Sequence, residues 1–197
     1  MALKTFVKVG SISNLGVARY CAGMGVDQLG FNADETADHY MSPGAVGDIM
    51  QWISGVEVVI EGAKPVGRNE DYLFDFIETS LQGYKLNFKY LDGLDKPLVY
   101  KVDYTSIQDL SHLYIQHKQS YILLSGQGKR LTLDQQNEIR ALAGQYPVVL
   151  DFGFDQENAA ELPEELNLKG LALKGVADEN SPEFDHLMHL LEVLSTD

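Results

Sequence analysis

Residues 120–152 read SYILLSGQGKRLTLDQQNEIRALAGQYPVVLDF. Two short apolar runs, 120–125 and 147–152, flank a longer helical pattern at 132–143. Runs of this length bounded by Gly and Pro signals read as buried strands. Thr132 stands three residues before Gln135, the spacing of a capping box, so a helix starts there. The segment is a β–α–β unit, and such units pair their strands in parallel through a right-handed crossover.

The same alternation extends in both directions. Strands are expected at 4–9, 27–32, 57–61, 84–89, 97–103 and 168–173, and helices at 14–24, 43–54, 68–81, 105–116, 155–162 and 182–194. Ser42-Pro43 and Ser181-Pro182 each place a cap before a proline at the first helical position, and Asn14 caps the first helix. With the central unit, these make eight strands and seven helices. The stretch 90–96 between the fourth and fifth strands is too short for a crossover helix. The expected fold class is α/β: a single, trimmed (βα)8 TIM barrel over 1–197, with the helix between strands 4 and 5 missing. An open doubly wound sheet is the rival, but Gly10-Ser11-Ile12-Ser13 does not form its glycine-rich phosphate loop.

Composition narrows the function classes. The chain has 197 residues, 45% apolar, with 29 acidic and 15 basic side chains and a formal charge of -14. Such a chain repels nucleic acid unless its basic groups cluster, and the densest pair is Lys129-Arg130. One cysteine, Cys21, excludes an internal disulfide; a small buried residue is its expected role. No signal peptide is read at the N-terminus and no run approaches the ~18 apolar residues of a spanning helix. The expected setting is cytoplasmic, with no membrane or nucleic-acid partner, as a monomer or homodimer.

Several motifs carry a resemblance. Residues 7–15 (VKVGSISNL), 25–31 (GVDQLGF) and 39–43 (HYMSP) are similar to the VKICGITNL, GADALGF and RYVSP stretches of phosphoribosylanthranilate isomerases, which are (βα)8 barrels of tryptophan biosynthesis. Residues 151–158 (DFGFDQEN) resemble the glycine pair and PEN segment that open that family's seventh helix. Residues 170–176 (GLALKGV) resemble its GVDVSSGV, and 125–129 (SGQGK) its GTGK turn. Between 57 and 118 the family's QLHG motif has no counterpart.

The resemblance implies a cofactor-free Amadori rearrangement of a phosphorylated aminoaldose, with a cysteine base ending strand one and an aspartate acid ending strand six. Here those places fall on Gly10 and Ser125. Glycine cannot take a proton, and a serine hydroxyl needs an activating base. The resemblance also implies a phosphate held by backbone amides of the last two strand loops. Gly153, Lys174 and Gly175 stand there, with Phe152 in place of the first glycine and His39 in place of the arginine. Lys8 matches the lysine beside the family's cysteine.

In a βα barrel the active face is built from strand C-termini. The expected ends carry Gly10 and Ser11, Asn32 and Asp34, Glu61, Asn87 and Lys89, Asp103, Ser125 and Gln127, Asp151, and Lys174. One reading is a replacement acid–base set, such as Asp103 with Asp151 or Glu61. The other is the solvated rim of an acidic protein. The candidate catalytic residues are Asp103, Ser125 and Asp151; the candidate ligand-binding residues are Lys8, Ser11, Asn32, His39, Gly153, Lys174 and Gly175. Lys8, in strand one, is expected to point into the mouth and pair with a carboxylate, because an unpaired buried charge is costly. It serves either a structural ion pair or a ligand. His186 and His189 with Asp185 share a helix face, more simply a wet surface than a metal site, and no metal is expected. Trp52 and residues 72–77 read as inward stripes of helices, with some aromatics available for a dimer contact.

Three functions compete. The first is a diverged barrel without the standard isomerisation that binds a small phosphorylated or polar ligand. The second is an active isomerase with rewired acid–base residues. The third is a structural or protein-binding barrel whose mouth is plugged by Phe31, Phe152, Phe154 or Tyr104.

Overall fold

The computed structural model describes residues 2–62, 71–112, 115, 117–176 and 178–196. Its strands are β1 (Phe6–Gly10), β2 (Gln28–Asn32), β3 (Glu57–Glu61), β4 (Phe76–Ser80), β5 (Leu98–Asp103), β6 (Tyr121–Ser125), β7 (Val148–Asp151) and β8 (Gly170–Lys174). They close into a parallel barrel in chain order, with β8 returning to β1 over the register Phe6↔Gly170 to Gly10↔Lys174. The helices are α1 (Leu15–Gly23), α2 (Pro43–Met50), α3 (Leu81–Gly93), α4 (Leu133–Ala143), α5 (Leu162–Glu165) and α6 (Pro182–Leu194), with a 3-10 helix over Tyr104–His112. The expected caps form. Asn14 accepts from the Gly16 and Val17 amides, Ser42 from Ala45 and Ser181 from Phe184, and Thr132 and Gln135 complete a capping box.

The two faces of each strand divide the core. Outward residues such as Val7, Val9, Leu29, Phe31, Val58 and Ile60 pack in the layer shared with the helices. Inward residues Val59, Phe76, Val99, Tyr121, Leu123, Val149 and Ala172, with Phe6, fill the barrel. Burying each large apolar side chain contributes about 1.5–3 kcal/mol. Polar groups also lie inside. Tyr121 donates to Gln28 Oε1 at 2.6 Å, and Gln28 Nε2 donates to Glu57 at 2.9 Å.

The barrel is irregular elsewhere than expected. The connection between β4 and β5, expected to lack a helix, carries α3; the described residues between β3 and β4, 62 and 71–75, hold no α-helix. The expected strand 84–89 lies within α3, and residues 76–80 of the expected helix 68–81 are β4; residues 68–70 lie outside the described residues. The cause is physical. Lys85, Asn87 and Lys89 alternate with Tyr84, Leu86 and Phe88, which imitates a strand. The face that packs is helical instead: Leu81, Tyr84, Leu91 and Leu94 gather on Ile77, Leu98 and Tyr100, and the Tyr84 and Tyr100 rings meet edge to face at 5.2 Å. Ser80 caps this helix through the Gly83 amide at 3.0 Å. The real strand hides because Glu78 sits at its centre.

Smaller differences share this logic. The expected helix 155–162 is a turn closed by reciprocal bonds between Asp155 and Asn158, and α5 begins at Leu162. The expected helix 105–116 is the 3-10 segment; residues 113, 114 and 116 lie outside the described residues. Trp52, expected inward, follows the end of α2 and is 70% exposed. Tyr72 precedes β4 in an irregular segment and donates its hydroxyl to Met41 O at 2.6 Å.

Candidate functional site

The C-terminal ends of the strands form the mouth. In β1, β3, β4 and β5 the inward positions step from apolar to charged: Phe6 to Lys8, Val59 to Glu61, Phe76 to Glu78, Val99 to Lys101. These four charges make one network. Lys8 donates to Glu61, and to Glu78 at 2.7 Å; Lys101 reaches the other oxygen of Glu78 at 3.2 Å. Lys8 and Glu78 are only 2% and 3% exposed, whereas half of the Lys101 side chain is open to solvent. Burial alone depresses a lysine, but Glu61 and Glu78 hold Lys8 well above its ordinary value. Burial likewise opposes ionisation of Glu78, and Lys8 and Lys101 override it and hold the carboxyl below its ordinary value. Glu78 in turn raises Lys101.

Glu61 also shapes the first loop. Its Oε2 accepts the Ser11 amide at 2.8 Å, and Ser11 adopts a left-handed φ of 55°. A Cβ built on Gly10 lies 2.6 Å from Glu61 Oε1, and one on Gly30 lies closer still.

Across the mouth, Ser125 and Asp151 are register partners on β6 and β7, and the Ser125 hydroxyl donates to Asp151 Oδ2 at 2.9 Å. Asp103 ends β5. Its Oδ1 accepts the Thr105 hydroxyl and the Thr105 backbone N–H, the latter at 2.9 Å, and Oδ2 accepts from the Gln127 side-chain Nε2. These bonds hold its carboxyl below the ordinary value. Gln127, like His39, has a left-handed backbone, with φ of 54° against 61°.

An open cleft of about 950 Å³ lies between the ends of β7 and β8 and the start of α6. It brings together His39, Asp151, Gly153, Lys174 and Gly175 of the expected set. Lys8 and Ser11 gather instead around Glu61. Asn32 is not among the cleft-lining residues; its Oδ1 accepts the Asp34 amide at 2.9 Å. Asn87 and Lys89, expected at a strand end, are carried on α3. The cleft wall includes Phe152 and Phe154, while Phe31 is buried in the layer outside the barrel.

The two glycines expected to cradle phosphate have bonded amides. Gly153 N–H donates to Lys129 O at 2.9 Å, and Gly175 N–H to Gly10 O at 2.7 Å. A Cβ on Gly153 would overlap Gly128 O, and one on Gly175 lies 2.6 Å from Gly10 O. Glycine is required at both positions by the approach of a neighbouring backbone. Lys174 is the ammonium of the cleft, which also carries Asp151, Asp178 and Glu183. Among the described residues no group of three or more His, Cys, Asp or Glu is arranged to hold a metal ion, and no helix is long and apolar enough to cross a membrane.

Sequence reasoning missed Glu78, Lys101 and the α6 face of the cleft. Lys101 lies two residues before Asp103, so strand alternation alone puts both on the inward face. Glu78 was hidden by the helix expected around it.

A closed parallel ring of eight strands with its polar groups at the C-terminal mouth is a (βα)8 barrel, and its fold is similar to that of solved phosphoribosylanthranilate isomerases. The phosphoribosylanthranilate isomerase of Thermotoga maritima superposes with a TM-score of 0.74 at 15% identity, covering 96% of this chain and 98% of that one. The Thermus thermophilus enzyme gives 0.73 at 18% identity, with the same coverage. Thiamine phosphate pyrophosphorylase from Pyrococcus furiosus gives 0.61 at 11% identity, covering 98% of this chain and 95% of that one. No family model and no curated protein matches the sequence.

Proposed function

We propose that this barrel does not carry out the Amadori rearrangement and instead binds a small polar ligand in the cleft at the ends of β7 and β8. The observation that carries the reading is the pair of residues at the two proton-transfer places implied by the resemblance. Gly10 has no side chain, and the Ser125 hydroxyl is donated to Asp151. A general acid or base contributes about 10²–10⁴ in rate, so lacking both removes most of the acceleration. The bonded amides of Gly153 and Gly175 support a ligand held by side chains, with Lys174, His39 and Asp151 facing it. The open cleft favours ligand binding over a plugged, structural barrel.

The test is turnover of phosphoribosylanthranilate by the purified chain, together with growth of a tryptophan auxotroph that lacks the isomerase. Neither turnover nor growth above background is expected. The Ser125–Asp151 pair makes a second reading specific. Robust turnover that disappears on replacing Asp103, Ser125 or Asp151 overturns the proposal and makes the chain an isomerase with relocated acid–base groups.

A further inference from the structure

Gly10 and Gly30 are neighbours on β1 and β2, and neither has a left-handed backbone, so conformation does not demand glycine at either position. Space does. Both are faced by the carboxylate of Glu61, whose Oε1 lies 2.6 Å from where a Cβ of residue 10 would stand and closer still to that of residue 30. A carboxylate at the end of a flexible side chain can normally step aside. This one is held on both oxygens: Oε1 accepts from Lys8, and Oε2 accepts the Ser11 amide at 2.8 Å. Glu61 is 7% exposed, so moving it takes a hydrogen-bonded acceptor from a buried ammonium.

We infer that Glu61, at the end of β3, sets what the neighbouring first strand can present at the mouth: its carboxylate fills the place where a side chain of residue 10 would project, so residue 10 can present none there. This deepens the reading above and rests on it only for its chemical meaning. A nucleophile or base cannot return to strand one by a change at residue 10 alone. Residue 10 contributes backbone alone, and the fixed group beside it is the Glu61 carboxylate paired with Lys8.

A stability cycle tests this without any turnover measurement. Gly10→Cys in the otherwise unchanged chain is expected to lower the melting temperature by about 5–10 °C, a shift of a few kcal/mol on the usual scale for this size. The same substitution in a Lys8→Met/Glu61→Ser background, which removes one charge of each sign, is expected to cost less than about 2 °C. The thiol that Gly10→Cys introduces should react with a thiol reagent in that background, while the buried Cys21 stays silent. Equal costs in the two backgrounds overturn the inference. Should the charge-deleted background not fold, amide exchange in Gly10→Ala decides. Displacing Glu61 removes the acceptor of the Ser11 amide, and its exchange should quicken about tenfold or more. An unchanged Ser11 exchange rate overturns the inference. Isomerase turnover by the unaltered chain would sink the proposed function and leave this cycle untouched.

Discussion

Lys8 on β1 donates to Glu78 on β4 at 2.7 Å across the inside of the barrel, and both side chains are almost wholly buried. The contact joins strands that are not neighbours, so it acts as a tie through the middle of the ring. Its consequences are measurable.

Removing Lys8 strips both Glu61 and Glu78 of the buried ammonium they share. Lys8→Met should destabilise the fold by about 3–5 kcal/mol, read from urea unfolding midpoints. Replacing the pair together, as Lys8→Met/Glu78→Leu, should cost clearly less than the single change. A single change that is silent in the midpoint would show that the tie is dispensable.

The same tie makes stability depend on pH at both extremes. The folded Glu78 carboxyl lies below its ordinary value of 4.5, because Lys8 and Lys101 override the effect of burial. The unfolded chain therefore binds the proton more tightly, and this contribution is present above pH ~4.5 and lost as pH falls through the folded value. Lys8 and Lys101 lie above their ordinary value of 10.5 when folded. Their contribution is present below pH ~10.5 and lost as pH rises through the folded values. Urea midpoints against pH should fall at both ends, and Glu78→Gln should flatten the acid limb. An acid limb unchanged by that variant would place its cause elsewhere.

Inorganic phosphate at millimolar concentration should not raise the melting temperature. The amide resonances of Gly153 and Gly175 should stay in place on titration, because both donate to backbone carbonyls. Movement of both resonances with a saturating curve would show that the loops reopen to cradle an anion.

Thr132→Ala should cost about 1 kcal/mol, since the capping box at the start of α4 satisfies two amide donors reciprocally. Thermal unfolding should register it as a fall of about 2–4 °C. No fall would mean that the first turn of α4 is held by its neighbours alone.

How far the sequence discloses this molecule differs by region. The caps at Asn14, Ser42, Thr132 and Ser181 are local hydrogen-bonding devices, and each is legible in the residues beside it. The β4–α3 unit is not legible, because Glu78 interrupts the apolar run at Phe76–Ser80 and its charge is met only by two lysines remote in sequence. In the site, the pairing of Lys8 follows from the cost of burying an ammonium, although nothing in the strand names its partners. Gly10 shows the deeper limit. A glycine announces missing volume, but only the folded neighbourhood shows that Glu61 takes it.

The charge quartet inside the barrel comprises two ammonium and two carboxylate groups, so it carries no net monopole. The electric field at the entrance is therefore written by the rim, where Asp103 ends β5 and Asp151, Asp178 and Glu183 outnumber Lys174. Positively charged solutes will be concentrated there and anions thinned out, over a reach of about 10 Å at ordinary ionic strength.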